Sequence, residues 1–224
     1  MIIKNLAGYL DLANHHADAR PEDIKKLVKL VGKYKFNSAF VNPFFVKLAK
    51  EQPQEIKVGT VVAFPLGQEK TDLKVITALS AVKDGADELD VSLNIGLFKD
   101  GDYNQVLTEM RSIVEAVKAM KPVVIVKFII ETGFLTDEEI KRAASLVLKA
   151  KGDFVKTCSG MGPRGARLTD VKLIREAIGT TIPIKVAGGV HDYKTAKAFI
   201  QAGANRIGTS AAVEIVKEAG KDND

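Results

Sequence analysis

Cysteine is almost missing from this chain of 224 residues, with Cys158 the only one. No intramolecular disulfide can form, and a reducing cytoplasm is the expected setting. Histidine is also scarce: His15, His16 and His191 are the full set. The adjacent pair cannot chelate as two histidines one helical turn apart do, so neither a metal nor another cofactor is expected. No apolar run approaches the roughly 18 residues of a membrane span, and Met1 to Leu6 holds no long apolar leader core. A soluble, unsecreted protein with no membrane partner is expected. Basic residues exceed acidic ones by 33 to 28, a net +5. They are interspersed with the acidic residues, with no basic block or aromatic–basic pattern, which argues against a nucleic-acid partner.

What is present has the balance of a folded protein. Apolar residues make up 46% and charged residues 27%, so the charges mostly solvate a surface. The length suits one large core, and no linker, low-complexity tract or second core divides it. Eight short apolar runs alternate with amphipathic segments, the signature of repeated βα units around a parallel sheet. Strands are predicted at Ala7 to Leu12, Ser38 to Val41, Lys57 to Phe64, Glu88 to Val91, Val123 to Ile130, Phe154 to Lys156, Pro183 to Ala187 and Arg206 to Gly208. Pro21 to Tyr34 reads as a helix with proline in its first turn and apolar residues at helical spacing. Thr136 to Ala150 opens on a capping box. Asp192 to Gln201 and Ala211 to Glu218 supply the last two helices. Eight strands close a barrel, so the fold class is α/β, a single (β/α)8 TIM barrel over residues 1–220, with residues 221–224 a disordered tail.

Parallel strands covered on both faces should be continuously apolar. Five of these carry a charge: Asp11, Asp90, Lys127, Lys156 and Lys185. One such residue is explained by a lysine snorkelling at a strand end. Five in one barrel point to a shared interior site at the C-terminal ends of the strands. Alternation supports this, because Ile182, Ile184 and Val186 share one face while Lys185 takes the other, and Leu89 and Val91 oppose Asp90. Three ammoniums against two carboxylates leave an excess positive charge that favours losing one proton, and a buried neutral lysine is a nucleophile. Lys156 is the candidate nucleophile, with Lys185 and Asp90 its catalytic partners. Asp11 and Lys127 read either as a structural ion pair or as substrate-orienting groups.

Glycines cluster after the last two strands, at Gly188-Gly189 and at Gly208-Thr209-Ser210. Glycine lets backbone N–H groups approach an anion, a helix N-terminus adds a favourable dipole, and loops 7 and 8 of such barrels are the recurrent phosphate site. Gly160, Gly188, Gly189, Gly208 and Ser210 are therefore predicted phosphate-binding residues. The loop Ser159 to Gly165 reads as a mobile flap, with Arg164 either adding charge to that site or solvated.

The segments Phe154 to Gly160, Ile184 to Val190, Glu88 to Val91, Val126 to Thr132 and Ala202 to Ser210 together resemble the deoxyribose-phosphate aldolases, over about Leu10 to Val213. The resemblance implies a class I aldolase of deoxyribonucleoside catabolism, a homodimer, that reversibly cleaves 2-deoxy-D-ribose 5-phosphate to acetaldehyde and D-glyceraldehyde 3-phosphate. In that chemistry Lys156 forms the Schiff base, Lys185 holds its pKa down, and Asp90 relays protons through water. The residues agree: cleaving a bond next to a latent carbonyl needs an electron sink, and an iminium supplies one without a metal. Three positions depart from the pattern. Ala13 stands where a hydroxyl residue is common, Cys158 follows Thr157 where serine is commoner, and the tail has no tyrosine. The competing reading is another sugar-phosphate-binding barrel, an isomerase or a non-catalytic binder.

Overall fold

The computed structural model describes residues 3–221. Eight parallel strands close a barrel in sequence order: β1 Leu10–Asn14, β2 Ser38–Val41, β3 Val58–Val62, β4 Glu88–Ser92, β5 Ile125–Ile129, β6 Phe154–Lys156, β7 Ile184–Ala187 and β8 Arg206–Thr209, with β8 pairing back onto β1. The helices are α1 Pro21–Tyr34, α2 Val46–Lys50, α3 Thr71–Lys83, α4 Ile95–Lys99, α5 Tyr103–Met120, α6 Asp137–Lys149, α7 Leu168–Ile178, α8 Tyr193–Gln201 and α9 Ala212–Lys221. They surround the sheet.

Local chemistry starts and stops these elements where the sequence says. Helix α1 has proline in its first turn, buries Ile24, Leu27, Val28 and Val31, and ends on Lys35 at φ 56°. Helix α6 is capped reciprocally: Thr136 Oγ1 accepts from the Glu139 N–H at 3.4 Å, and Glu139 Oε2 accepts from the Thr136 N–H at 2.7 Å. Two unpaired donors are thereby satisfied.

The first strand begins later than predicted. Leu6–Tyr9 forms a 3-10 turn, entered through Asn5 at φ 55°, a backbone region asparagine tolerates. The turn consumes the residues that alternation alone would place in a strand. Lys221, first residue of the predicted tail, is the last residue of α9; residues 222–224 lie outside the described part.

Each strand shows two faces. Leu10, Leu12, Ala39, Val41, Leu89, Val91, Val126, Phe128, Val155, Ile184, Val186 and Ile207 belong to the apolar shell under the helices. The alternate residues face the barrel interior, and the register sets Asp11 beside Ser38 and Gly208, Asp90 beside Lys127, and Lys156 beside Lys185. Period-2 geometry thus gathers every charged strand residue into one place.

Candidate active site

All five predicted interior charges meet. Asp90 on β4 is the hub: its Oδ2 lies 2.8 Å from Lys156 Nζ and 3.0 Å from Lys185 Nζ, and its Oδ1 lies 3.2 Å from Lys127 Nζ. Lys185 Nζ is also 2.9 Å from Asp11 Oδ2. Asp11 is held by three donors on its other oxygen: Ser38 Oγ at 2.7 Å, Asn37 Nδ2 at 2.8 Å and Arg206 Nη1 at 3.1 Å. Lys127 donates to Glu88 as well. Asp11, Asp90, Lys127, Lys156 and Lys185 are all buried.

Three members of this site are additions to the sequence reading. Glu88 is fully buried two residues before Asp90, and Arg206 Nη1 reaches it at 3.7 Å. The same alternation that singles out Asp90 places Glu88 inward, so the signal was present. Phe40 carried no chemical signal, yet its ring lies 3.3 Å from Lys185 Nζ and 4.9 Å from Lys127 Nζ, centroid to nitrogen. Negative ring faces attract such cations. The ring fits only because residue 59 is glycine, since a Cβ there would come within 2.3 Å of it.

With Glu88 and Arg206 included, four cations face three carboxylates. One excess positive charge remains, and loss of a single proton makes the cluster neutral. The lysines divide accordingly. Burial opposes the charge on Lys127, but Asp90, Glu88 and Asp11 outweigh it and hold the pKa above the ordinary lysine value. At Lys156 burial also opposes the charge, Asp90 alone pulls back, and Lys185 and Lys127 add repulsion, so the pKa falls below the ordinary value. Asp90 experiences the converse: burial would raise it, but Lys127, Lys156 and Lys185 hold it well below the carboxylate range. These shifts follow from neighbour count as much as from desolvation.

Above the cluster opens a cavity of about 220 Å³. Lys156, Lys185 and Phe40 line its base, and Gly160, Gly188, Gly189, Gly208 and Ser210 line it as well. Gly188 has φ 90°, and a Cβ on it would stand 3.2 Å from Cys158 Cβ, 3.5 Å from the Gly160 Cα and 3.5 Å from the Gly165 Cα. The β6–α7 and β7–α8 loops touch backbone to backbone here, which only glycine permits.

The segment Ser159 to Gly165 is anchored, and Arg164 is neither solvated nor aimed at the cavity. Its guanidinium is bidentate to Asp170, at 2.7 and 3.0 Å, and donates to the Thr132 carbonyl at 2.9 Å. Glu131 Oε2 accepts from the Ser159 N–H at 2.9 Å. Cys158 is buried beside Thr132 Oγ1 at 3.1 Å, and burial pushes its thiol up to about 11. A thiol held protonated is a packing residue rather than a nucleophile.

Fold and cluster define a (β/α)8 barrel that carries a buried amine flanked by carboxylates at the base of its cavity. Residues 7–217 match the family of DeoC/LacD aldolases, and the chain belongs to that family. The deoxyribose-phosphate aldolase of Aciduliprofundum boonei is 48% identical over 219 residues, 97% of this chain and 98% of that one. Among solved structures, the aldolase QR15 superposes with a TM-score of 0.93 at 37% identity, covering 99% of this chain and 98% of its own. The tetrameric deoxyribose phosphate aldolase of Aeropyrum pernix gives 0.87 at 28% identity, covering 98% and 92%.

Proposed function

We propose that this enzyme is a carbon–carbon lyase, a class I aldolase that reversibly cleaves 2-deoxy-D-ribose 5-phosphate to acetaldehyde and D-glyceraldehyde 3-phosphate through a Schiff base on Lys156. The observation that carries the covalent role is an inequality between the two lysines lining the cavity. Lys185 faces two carboxylates, Asp11 and Asp90, whereas Lys156 faces Asp90 alone. Lys156 is therefore the amine that gives up its proton most readily, and the neutral amine attacks the open-chain C1 aldehyde. Asp90, 2.8 Å from that nitrogen, accepts and returns protons as the carbinolamine forms and loses water. The iminium then accepts the electrons of the C2–C3 bond, the resulting enamine is protonated at C2, and hydrolysis frees acetaldehyde and the lysine.

The remaining residues serve binding. Gly160, Gly188, Gly189, Gly208 and Ser210 hold the phosphate with backbone N–H groups and the N-terminus of α9. Asp11 and Lys127 fix Lys185 and Asp90 from beneath, which orients the substrate indirectly. A homodimer is the assembly read from the family resemblance, and a tetramer like that named for the Aeropyrum pernix protein is the alternative that sedimentation distinguishes. A cytoplasmic role in deoxyribonucleoside breakdown fits the lone buried cysteine, and among the described residues no helix is long and apolar enough to cross a membrane. The test is borohydride trapping with deoxyribose 5-phosphate followed by intact mass. A gain on the wild type that disappears in Lys156→Ala supports the Schiff base, and its persistence in that variant refutes it.

A further inference from the structure

Two amines line the base of the cavity, and the chemistry needs them in opposite states, one neutral to attack and one charged beside it. Lys156 and Lys185 sit side by side on β6 and β7. Both ammonium groups meet the same oxygen of Asp90, at 2.8 and 3.0 Å. The aromatic ring that each one meets is different. Phe64 lies 5.9 Å from Lys156 Nζ, whereas Phe40 lies 3.3 Å from Lys185 Nζ, centroid to nitrogen. Attraction between a cation and a ring face fades steeply with distance, so Phe40 bears on Lys185 far more than Phe64 bears on Lys156.

The position of Phe40 is built into the barrel. Its side chain is buried on the inward face of β2, apart from the apolar shell under the helices, with a second ammonium, Lys127, 4.9 Å from its centroid. The register sets it beside Gly59 on β3, whose missing side chain leaves the ring its room. The lysine stem is confined too, because a Cβ on Gly208 would stand 3.0 Å from Lys185 Cε. Lys185 Nζ therefore touches three groups: Asp11 Oδ2 at 2.9 Å, Asp90 Oδ2 at 3.0 Å and the face of Phe40. An N–H turned to that face is attracted, while the lone pair of a neutral amine turned to it is repelled.

Resting on the Schiff-base reading above, we propose that Phe40 is a positioning residue that selects between the two amines: its ring face keeps Lys185 a cation against Asp11 and Asp90, so that Lys156 alone is free to bond the substrate carbonyl. The carboxylates hold Lys185 by charge, and the ring adds what they cannot, a neighbour that accepts no proton. Without the ring face, the one proton that the cluster can lose leaves from either lysine. A neutral Lys185 would then add to the C1 aldehyde, and the carbinolamine, taking up one proton, would lose water to give an iminium on β7. That iminium forms beside Asp11, while Lys156 stays an ammonium. Such a complex lacks the charged neighbour that the productive arrangement has, and turnover falls.

The experiment compares wild type, Phe40→Leu and a protein with a fluorinated phenylalanine at that position. Leucine keeps apolar bulk and removes the ring face; fluorine withdraws charge from the ring face and keeps the shape. Each protein is reduced with borohydride in the presence of deoxyribose 5-phosphate, and peptide mapping reads the label on Lys156 against that on Lys185. The proposal expects label on Lys156 alone in the wild type. A share should move to Lys185 with the fluorinated ring and a larger share in Phe40→Leu, whose kcat should fall roughly tenfold or more. A purely structural role for the ring lowers turnover without moving the label. Label confined to Lys156 in both altered proteins, or kcat in Phe40→Leu within about threefold of wild type, would overturn the proposal. If Phe40→Leu melts at the assay temperature, the fluorinated protein decides by its label alone. A wild type that takes no label on either lysine would instead refute the Schiff-base reading itself.

Discussion

The two faces of the same eight strands are built from opposite chemistry. Outward, Val155 and Ile184 sit in the apolar shell at 0% exposure; inward, their chain neighbours Lys156 and Lys185 are just as buried, at 3% and 1%. Depth is therefore equal, and only partners differ. Outward residues exchange water for hydrocarbon, which stabilises the fold at about 25 cal/mol per Å². Inward charges lose hydration and recover it only through one another, which is seldom a net gain. The lesson is that this barrel is stabilised from outside and made reactive from inside, with one residue of chain separating the two tasks.

The strongest way to break that division is Lys156→Ala. Turnover should fall on the order of 10⁴-fold or more, as it does when a covalent nucleophile is removed, while the unfolding midpoint does not drop. The variant keeps Asp90 paired with Lys127 and Lys185 and removes the excess cation. Calorimetry beside a steady-state assay decides it, and a matching loss of stability would show that the inner face holds the fold as well.

Lys185→Leu comes next, with kcat lower by roughly 10²- to 10⁴-fold. Its more telling readout is pH. The amine must be neutral to attack, so activity rises with pH through the Lys156 pKa, which repulsion from Lys185 helps to depress. Removing that cation raises the Lys156 pKa, and the ascending limb of the profile should move to higher pH. A fixed limb would mean that burial alone activates Lys156. Stability has its own sign: a lysine depressed in the folded state binds fewer protons than in the unfolded chain. Its linked contribution therefore grows as pH rises from the folded pKa towards the unfolded value of about 10.4.

The sequence carried the division of faces because period 2 is local. A lysine between Val155 and Thr157, or an aspartate between Leu89 and Val91, is out of place in a doubly covered strand whatever else the chain does. Glu88 was equally legible by the same rule but was read as the edge of a strand rather than as a charge within one. Other parts needed three dimensions. The pocket for Phe40 exists because Gly59, on the next strand, has no side chain. The anchoring of Ser159 to Gly165 depends on Asp170 and on Glu131 and Thr132 after β5, so glycine content alone suggested a mobility that the contacts remove. His15 lines the cavity, and its Nδ1 meets Asn42 Oδ1 from 27 positions away, a pairing no local pattern reveals.

From the outer face, Ile184→Ala sharpens the comparison in the other direction. It deletes buried hydrocarbon beside Lys185, should lower stability by about 2–5 kcal/mol, and should change kcat at a permissive temperature by less than threefold. Denaturant unfolding measures the first and initial rates the second. A large loss of kcat without loss of stability would mean that the shell tunes the lysines directly.

The smallest expected effect lies furthest from the cluster, at the cap of α6. Thr136→Ala removes the acceptor for the Glu139 N–H and should lower stability by about 1 kcal/mol, with turnover unchanged. The cap touches neither the interior charges nor the cavity, so it reports the shell alone. Because Thr136 lies only four residues past Thr132, whose carbonyl and hydroxyl hold Arg164 and Asp170, it also tests how far the anchoring of the β6–α7 loop extends. A shift in KM for deoxyribose 5-phosphate on cap removal would move the boundary between the stabilising shell and the reactive interior out to the start of α6.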